Sequence, residues 1–194
     1  MIKSTRTLPP AYFDAVYAAD PDPWRFASSP YEKNKYAATI AALPKEVYAS
    51  AFEVGCSIGV LTRELASRCD SLLAVDVAPA PLAAAMRRCA DLAAVRFEQM
   101  FVPRQWPNGV FDLMLFSEVI YYLSKSDVAK LATKARQALA PGGNIVLVHW
   151  TEGTDYPLSG DEASEFFINL VAPAAKVVRQ ERRQFFRIDV LSRG

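Results

Sequence analysis

Residues 52–59, Phe-Glu-Val-Gly-Cys-Ser-Ile-Gly, place a carboxylate just ahead of two glycines at the end of an apolar run. Glycine admits positive φ and lets a ligand approach with no β-carbon in the way. A helix beginning after Gly59 would add the unpaired N–H groups of its first turn. Gly55 and Gly59 alone fit a phosphate-cradling loop, a loop for some other adenosine ligand, or a plain strand-to-helix turn. Asp76 narrows the choice. It ends the next apolar run, 23 positions after Glu53, where a carboxylate can accept both hydroxyls of a ribose. Capping of the following helix is its plainer role.

Two features count against a dinucleotide. The stretch G-C-S-I-G does not complete G-x-G-x-x-G, because Ser57 stands where a second glycine belongs. Glu53 would also set a negative charge beside a pyrophosphate. A carboxylate at that place suits a cation such as an amino-acid ammonium. Adenosine with a cationic amino-acid tail, as in S-adenosylmethionine, meets both conditions.

The elements that must hold these residues alternate from Ser50 onward. Strand patterns cover 50–55, 71–77, 94–100, 111–119 and 144–150, and helical patterns cover 60–69, 79–91 and 126–143. Near-continuous apolar strands joined by helices predict an α/β fold, a parallel sheet covered on both faces. Its ligand belongs beyond the carboxyl ends of the strands. A helix over 159–171 then precedes two strands within 175–193, with only a polar turn between them, which predicts an antiparallel hairpin. The expected sheet is thus seven-stranded and mostly parallel. Residues 1–49 read as an N-terminal helical cap, 50–150 as the cofactor-binding core, and 151–194 as acceptor-site loop, helix and hairpin of one domain.

Composition fits that picture. The chain has 194 residues, 52% of them hydrophobic, enough for one buried core. With 22 basic and 21 acidic residues, no basic surface for nucleic acid or membrane is implied. Cys56, Cys69 and Cys89 form no CxxC pair and His149 is the single histidine, so neither a metal site nor a disulfide framework is expected. The N-terminus lacks the apolar core of a signal peptide and no run reaches membrane-spanning length, so a cytoplasmic protein is expected.

"EVGCSIG", "AVDV", "FDLMLFSEVIYYL" and "LAPGGNIVLV" together resemble the successive motifs of class I S-adenosylmethionine-dependent methyltransferases, with a Rossmann-like fold. More narrowly, "DPWRFASSPYEKNKY", "EVGCSIGVLT", "SEVIYYL" and "YPLSGDE" are similar to the nodulation-protein-S-like N-methyltransferases. Members of that family methylate the free amine of a deacetylated chitooligosaccharide, a symbiotic signal, and relatives differ in substrate. The resemblance implies that Glu53, Gly55 and Gly59, with Cys56, surround the methionine tail. It puts Asp76 on the ribose, with Val77 beside it. Where the family often has an aspartate for adenine this chain has Met100. Met100 and Phe101 are then expected to edge the ring, with a backbone N–H for a ring nitrogen. Ser117 and Glu118 approach the methionine portion and sulfonium. Trp24 and Tyr31 close over the cofactor, or simply pack the cap.

Methyl transfer from a sulfonium needs alignment and desolvation, plus a base if the acceptor carries a proton. Glu118, Tyr122 and His149 are the candidates, all at or just after strand ends. His149 has an ordinary pKa suited to proton transfer near neutrality, although a hydrogen-bonded structural histidine explains it equally. Glu118 could instead orient an amine. Tyr121, Tyr156 and Asp161, with Glu162, are expected to face a small-molecule acceptor, unless Ser159 or Asp161 only caps the helix. N-methylation of an amine such as an amino sugar is the expected reaction. O-methylation of a small hydroxylated metabolite, or a non-catalytic S-adenosylmethionine-binding subunit, are the alternatives.

Overall fold

The computed structural model describes residues 5–194, so the first four residues of the expected N-terminal cap lie outside it. Seven strands form one sheet in the order β3-β2-β1-β4-β5-β7-β6. The strands are β1 (Ala51–Val54), β2 (Leu72–Asp76), β3 (Val95–Gln99), β4 (Phe111–Ser117), β5 (Leu139–Trp150), β6 (Lys176–Arg182) and β7 (Phe186–Ser192). The first five run parallel, and β7 pairs antiparallel with both β5 and β6. The chain reverses between β3 and β4, which flank the β2-β1 pair. This leaves the topological switch point at the end of β1, behind the glycine loop.

Alternation along the central strands divides the core into two layers. Phe52, Met114 and Phe116 face α5 (Lys125–Ala138) and α6 (Gly160–Val171), packing with Leu131 and Phe167. Leu113, Leu115 and Val148 face the other way, onto Tyr36, Leu61 and Leu65 from α2 (Pro30–Ala41) and α3 (Val60–Ala66). Glu53 shares the parity of Ala51, so its carboxylate is forced toward that second layer. The helix α4 (Pro79–Arg88) packs against α3, where Gly59 is required: a β-carbon there would lie 2.8 Å from the Ala85 backbone.

The cap consists of α1 (Pro10–Ala19) and α2, joined by a turn. Asp22 builds that turn by accepting the N–H groups of Phe26 and Ala27, at 2.7 and 3.0 Å. Ser29 caps α2 through the Glu32 N–H, with Pro30 at its first position. The sequence pattern predicts only the second of these helices.

Several boundaries differ from expectation. The helix expected over 126–143 ends at Ala138, and β5 begins at Leu139, which pairs with Phe111 before the ladder resumes at Asn144 with Leu113. Leu139 is buried at the sheet, and the Pro141–Gly142–Gly143 segment bulges out of a strand already begun. Ser124, outside the expected helix, supplies the cap of α5. Residues 120–122 form a single 3₁₀ turn. Among the described residues, no helix is long and apolar enough to cross a membrane.

Candidate active site

Beyond the ends of β1, β2 and β4 lies a cavity of about 410 Å³, roofed by the cap. Its floor is the glycine loop. Gly55 takes φ +80°, and a β-carbon there would come within 2.4 Å of Val119. Ser57 also adopts positive φ, 49°, and is pinned on both sides. Its N–H donates to Asp76 Oδ2 at 2.8 Å, and its hydroxyl meets that of buried Tyr17, from α1, at 2.6 Å. Asp76 Oδ1 accepts from the Ala78 N–H at 2.9 Å. Asp76 therefore braces the loop, and its carboxylate lines the cavity.

Glu53 is different. It is 2% exposed and its Oε2 has no hydrogen-bond partner. Burial, reinforced by the nearby Asp76 charge and opposed by Thr62, pushes its carboxyl up to about 7. A buried carboxylate with an uncommitted oxygen is costly unless a donor or cation reaches it. That is a fit for an ammonium group.

The second wall joins the cap to the sheet. Lys35 of α2 is 2% exposed and donates to Glu32 Oε1 at 3.0 Å and to Glu118 Oε1 at 2.6 Å. Glu118, at φ 57°, also accepts from the Tyr121 hydroxyl at 2.7 Å and the Trp150 N–H at 2.9 Å. Burial alone would raise the Glu118 carboxyl, but Lys35, helped by these donors, holds it below the usual range. Burial likewise opposes the Lys35 charge, and the two carboxylates outweigh it.

Fourteen of the residues expected at the site line this one cavity: Trp24, Tyr31, Glu53, Gly55, Cys56, Asp76, Val77, Met100, Phe101, Ser117, Glu118, Tyr121, Tyr122 and Tyr156. Three do not. Gly59 serves the α3–α4 contact described above. His149 is fully buried: its Nε2 accepts the Ile120 N–H at 3.2 Å and its Nδ1 meets the Ser164 hydroxyl at 3.1 Å. Burial depresses it to about 4, against the pull of Glu118. With both nitrogens engaged behind the 3₁₀ turn, His149 is a structural residue and its catalytic assignment is withdrawn. Asp161 is bound by Arg182 at 2.7 Å and Arg187 at 3.0 Å, which ties α6 to the hairpin. Glu162 completes a capping box with Ser159. Neither acidic residue faces an acceptor.

The adenine expectation also changes. The Phe101 N–H donates to Gln105 Oε1 at 2.7 Å and the Met100 N–H to the Asp76 carbonyl at 2.9 Å. Neither backbone donor is available to a ring nitrogen unless Gln105 moves. Glu118 and Tyr122 remain at the cavity, yet burial holds the Tyr122 hydroxyl far above neutrality. Sequence reasoning missed Glu32, Lys35 and Thr154, which also line it. The Glu32–Lys35 spacing on one helical face was the available signal.

The family model for nodulation protein S matches residues 15–149. Nodulation protein S of Rhizobium tropici is 34% identical over 131 residues, 66% of this chain and 55% of that protein. Its counterpart in Sinorhizobium fredii is 31% identical over 129 residues, 64% of this chain and 59% of that protein. The chain spans little more than half the length of these curated relatives. Among solved structures, a candidate methyltransferase from Pseudomonas syringae is 36% identical with a TM-score of 0.75, covering 84% of this chain and 99% of that one. The N-methyltransferase NodS of Bradyrhizobium japonicum, in complex with S-adenosylhomocysteine, is 21% identical with a TM-score of 0.81, covering 95% and 98%. The shared architecture is the Rossmann-like class I methyltransferase fold.

Proposed function

The chain belongs to the nodulation protein S family, and on that premise we propose that it is an S-adenosylmethionine-dependent methyltransferase that methylates the nitrogen of a small amine, such as a deacetylated amino sugar or chitooligosaccharide. One observation carries the reading. Of five buried side-chain polar atoms without a partner among the described residues, four belong to residues lining the one cavity: Tyr31, Glu32, Glu53 and Thr154. Unsatisfied buried polar groups are rare in folded proteins, and their concentration in a cavity marks a ligand that satisfies them. Two of the four are carboxylates, which favours a cationic ligand set.

S-adenosylmethionine, when bound, supplies a methyl group already activated on a sulfonium. The residues here do the rest. Glu53 would hold the ammonium of its tail, Asp76 would accept the ribose hydroxyls, and Gly55 leaves room for close approach. Trp24 and Phe26, stacked at 5.5 Å in the cap, and Tyr17 exclude water from above. Ring faces of Tyr31 and Trp150 suit a positive charge. Tyr121 and Tyr156 stack at 5.1 Å and form an aromatic wall of the kind on which sugar rings rest.

Calorimetry with S-adenosylhomocysteine and with NAD tests the cofactor. Binding of the first alone is expected, and Asp76→Ala should weaken it about tenfold or more, the value of one or two lost hydrogen bonds. Tight NAD binding would overturn the reading. A methyl-transfer screen over glucosamine oligomers, polyamines and phenols tests the acceptor, and reaction with phenols alone would make the chain an O-methyltransferase.

A further inference from the structure

The cap side of the cavity carries a carboxylate that the cofactor does not account for. Glu32 sits in the first turn of α2, is 6% exposed and lines the cavity. Its Oε1 is held by Lys35, while its Oε2 is buried with no hydrogen-bond partner. The other acidic groups are committed. Asp76 braces the glycine loop, Glu53 faces the cofactor's ammonium, and Glu118 accepts three donors. His149 has no nitrogen to offer.

The surroundings of Glu32 favour a proton acceptor. Burial raises its carboxyl, and Glu118, which shares the Lys35 ammonium, adds to the rise, whereas Lys35 and the nearby Tyr36 hydroxyl oppose it. The net shift is upward, which makes it a stronger base than an exposed glutamate. Two further hydroxyls, Tyr31 and Thr154, are buried in the same cavity without partners. A base that shares its cavity with two unsatisfied hydroxyls matches an amine flanked by alcohols.

We propose that Glu32 receives the acceptor amine and takes its proton, while Tyr31 and Thr154 hold neighbouring hydroxyls. In this step one N–H bond of the ammonium breaks and an O–H bond forms at Glu32 Oε2. The nitrogen keeps the electron pair, so ammonium and carboxylate become amine and carboxyl. Lys35 is a positioning residue: it fixes Glu32 by its Oε1 and anchors the pair to Glu118, leaving Oε2 toward the acceptor.

The inference rests on the amine-methyltransferase reading, so the experiment reads the two separately. Wild type, Glu32→Gln and Glu32→Asp are titrated with S-adenosylhomocysteine, and each product complex is then titrated with a glucosamine tetramer, spermidine and benzylamine. The amine with the fastest turnover is assayed across pH. For Glu32→Gln, the affinity for S-adenosylhomocysteine should stay within about threefold, acceptor affinity should fall about tenfold, and kcat/KM should fall about 100-fold or more. The acidic limb of its rate profile should move toward the amine's own pKa. A merely structural role would weaken product binding in parallel and leave that limb in place.

Wild-type acceptor affinity, kcat/KM and pH limb in Glu32→Gln would overturn the role of Glu32 and leave the methyltransferase standing. Absence of S-adenosylhomocysteine binding by wild type would overturn both, as would product binding without turnover of any amine. Should Glu32→Gln fail to bind the product, Glu32→Asp decides. A loss of about tenfold in kcat/KM with product affinity intact supports the assignment, and wild-type turnover overturns it.

Discussion

The two walls of the cavity are built in opposite ways. The glycine-loop wall is local: Ser57 and Asp76, whose hydrogen bond braces it, are 19 positions apart and lie on consecutive β-α turns. Asp76 in it is satisfied by backbone N–H donors that such turns provide. The cap wall is assembled at long range, since Lys35 meets Glu118 across 83 positions and no backbone pattern presets the contact. The first wall can be kept by many side chains so long as the turn survives. The second depends on a buried charge network centred on the Lys35–Glu118 pair.

That contrast predicts where a single substitution does most damage. Glu118→Ala removes the partner that holds Lys35 at 3% side-chain exposure, and it leaves the Trp150 N–H and Tyr121 hydroxyl without an acceptor. Breaking a buried pair in this way costs about 3–5 kcal/mol. Urea unfolding should show it as a lower midpoint with unchanged slope. A loss below about 1 kcal/mol would mean that the cap wall is as tolerant as the loop wall, and the comparison would fail.

His149 tests the same distinction behind the site. It resembles a catalytic residue in sequence because it is the sole histidine and ends a strand, yet its ring serves the 3₁₀ turn and α6. His149→Ala orphans the buried Ile120 N–H, at a cost of about 1–3 kcal/mol. Methyl transfer at saturating acceptor should persist below the melting transition. A fall in kcat of about 100-fold or more, at unchanged stability, would return His149 to the chemistry.

What could be read in the sequence follows the same division. The strands, the parallel sheet implied by their alternation with helices, and the pairing of the Glu53 loop with Asp76 are short-range patterns, so period and spacing carry them. Met100 and Phe101 line the cavity, but the capture of the Phe101 N–H by Gln105 is a side-chain event that no spacing announces. Asp161 looked like an acceptor ligand because it follows a polar loop. Arg187, which claims it, arrives from β7, 26 positions later. Lys35 and Glu32 lay in a helix read only for its amphipathicity. A lysine buried at 2% exposure contradicts the pattern that assigns lysine to solvent, and only the tertiary structure supplies Glu118, the second of the two carboxylates that permit it.

The smallest expected effect lies in the loop wall and is read by pH. Burial raises the Glu53 carboxyl to about 7, above the 4.5 of an unperturbed glutamate, so the ligand-free fold binds this proton more tightly than the unfolded chain does. The stability linked to Glu53 is therefore full below the unfolded pKa, declines as pH rises, and is lost once pH passes about 7. A cationic tail reverses the preference, because it bonds the ionised form. Affinity for S-adenosylhomocysteine should thus be flat just above pH 7 and fall by up to about tenfold per pH unit below it. Glu53→Gln should abolish that slope while lowering affinity at neutral pH. Calorimetric titration of both proteins through this window measures it, and a wild-type affinity independent of pH would show that Glu53 does not meet the ammonium. Glu118 should add no such slope, because Lys35 holds its carboxyl below the usual carboxylate range.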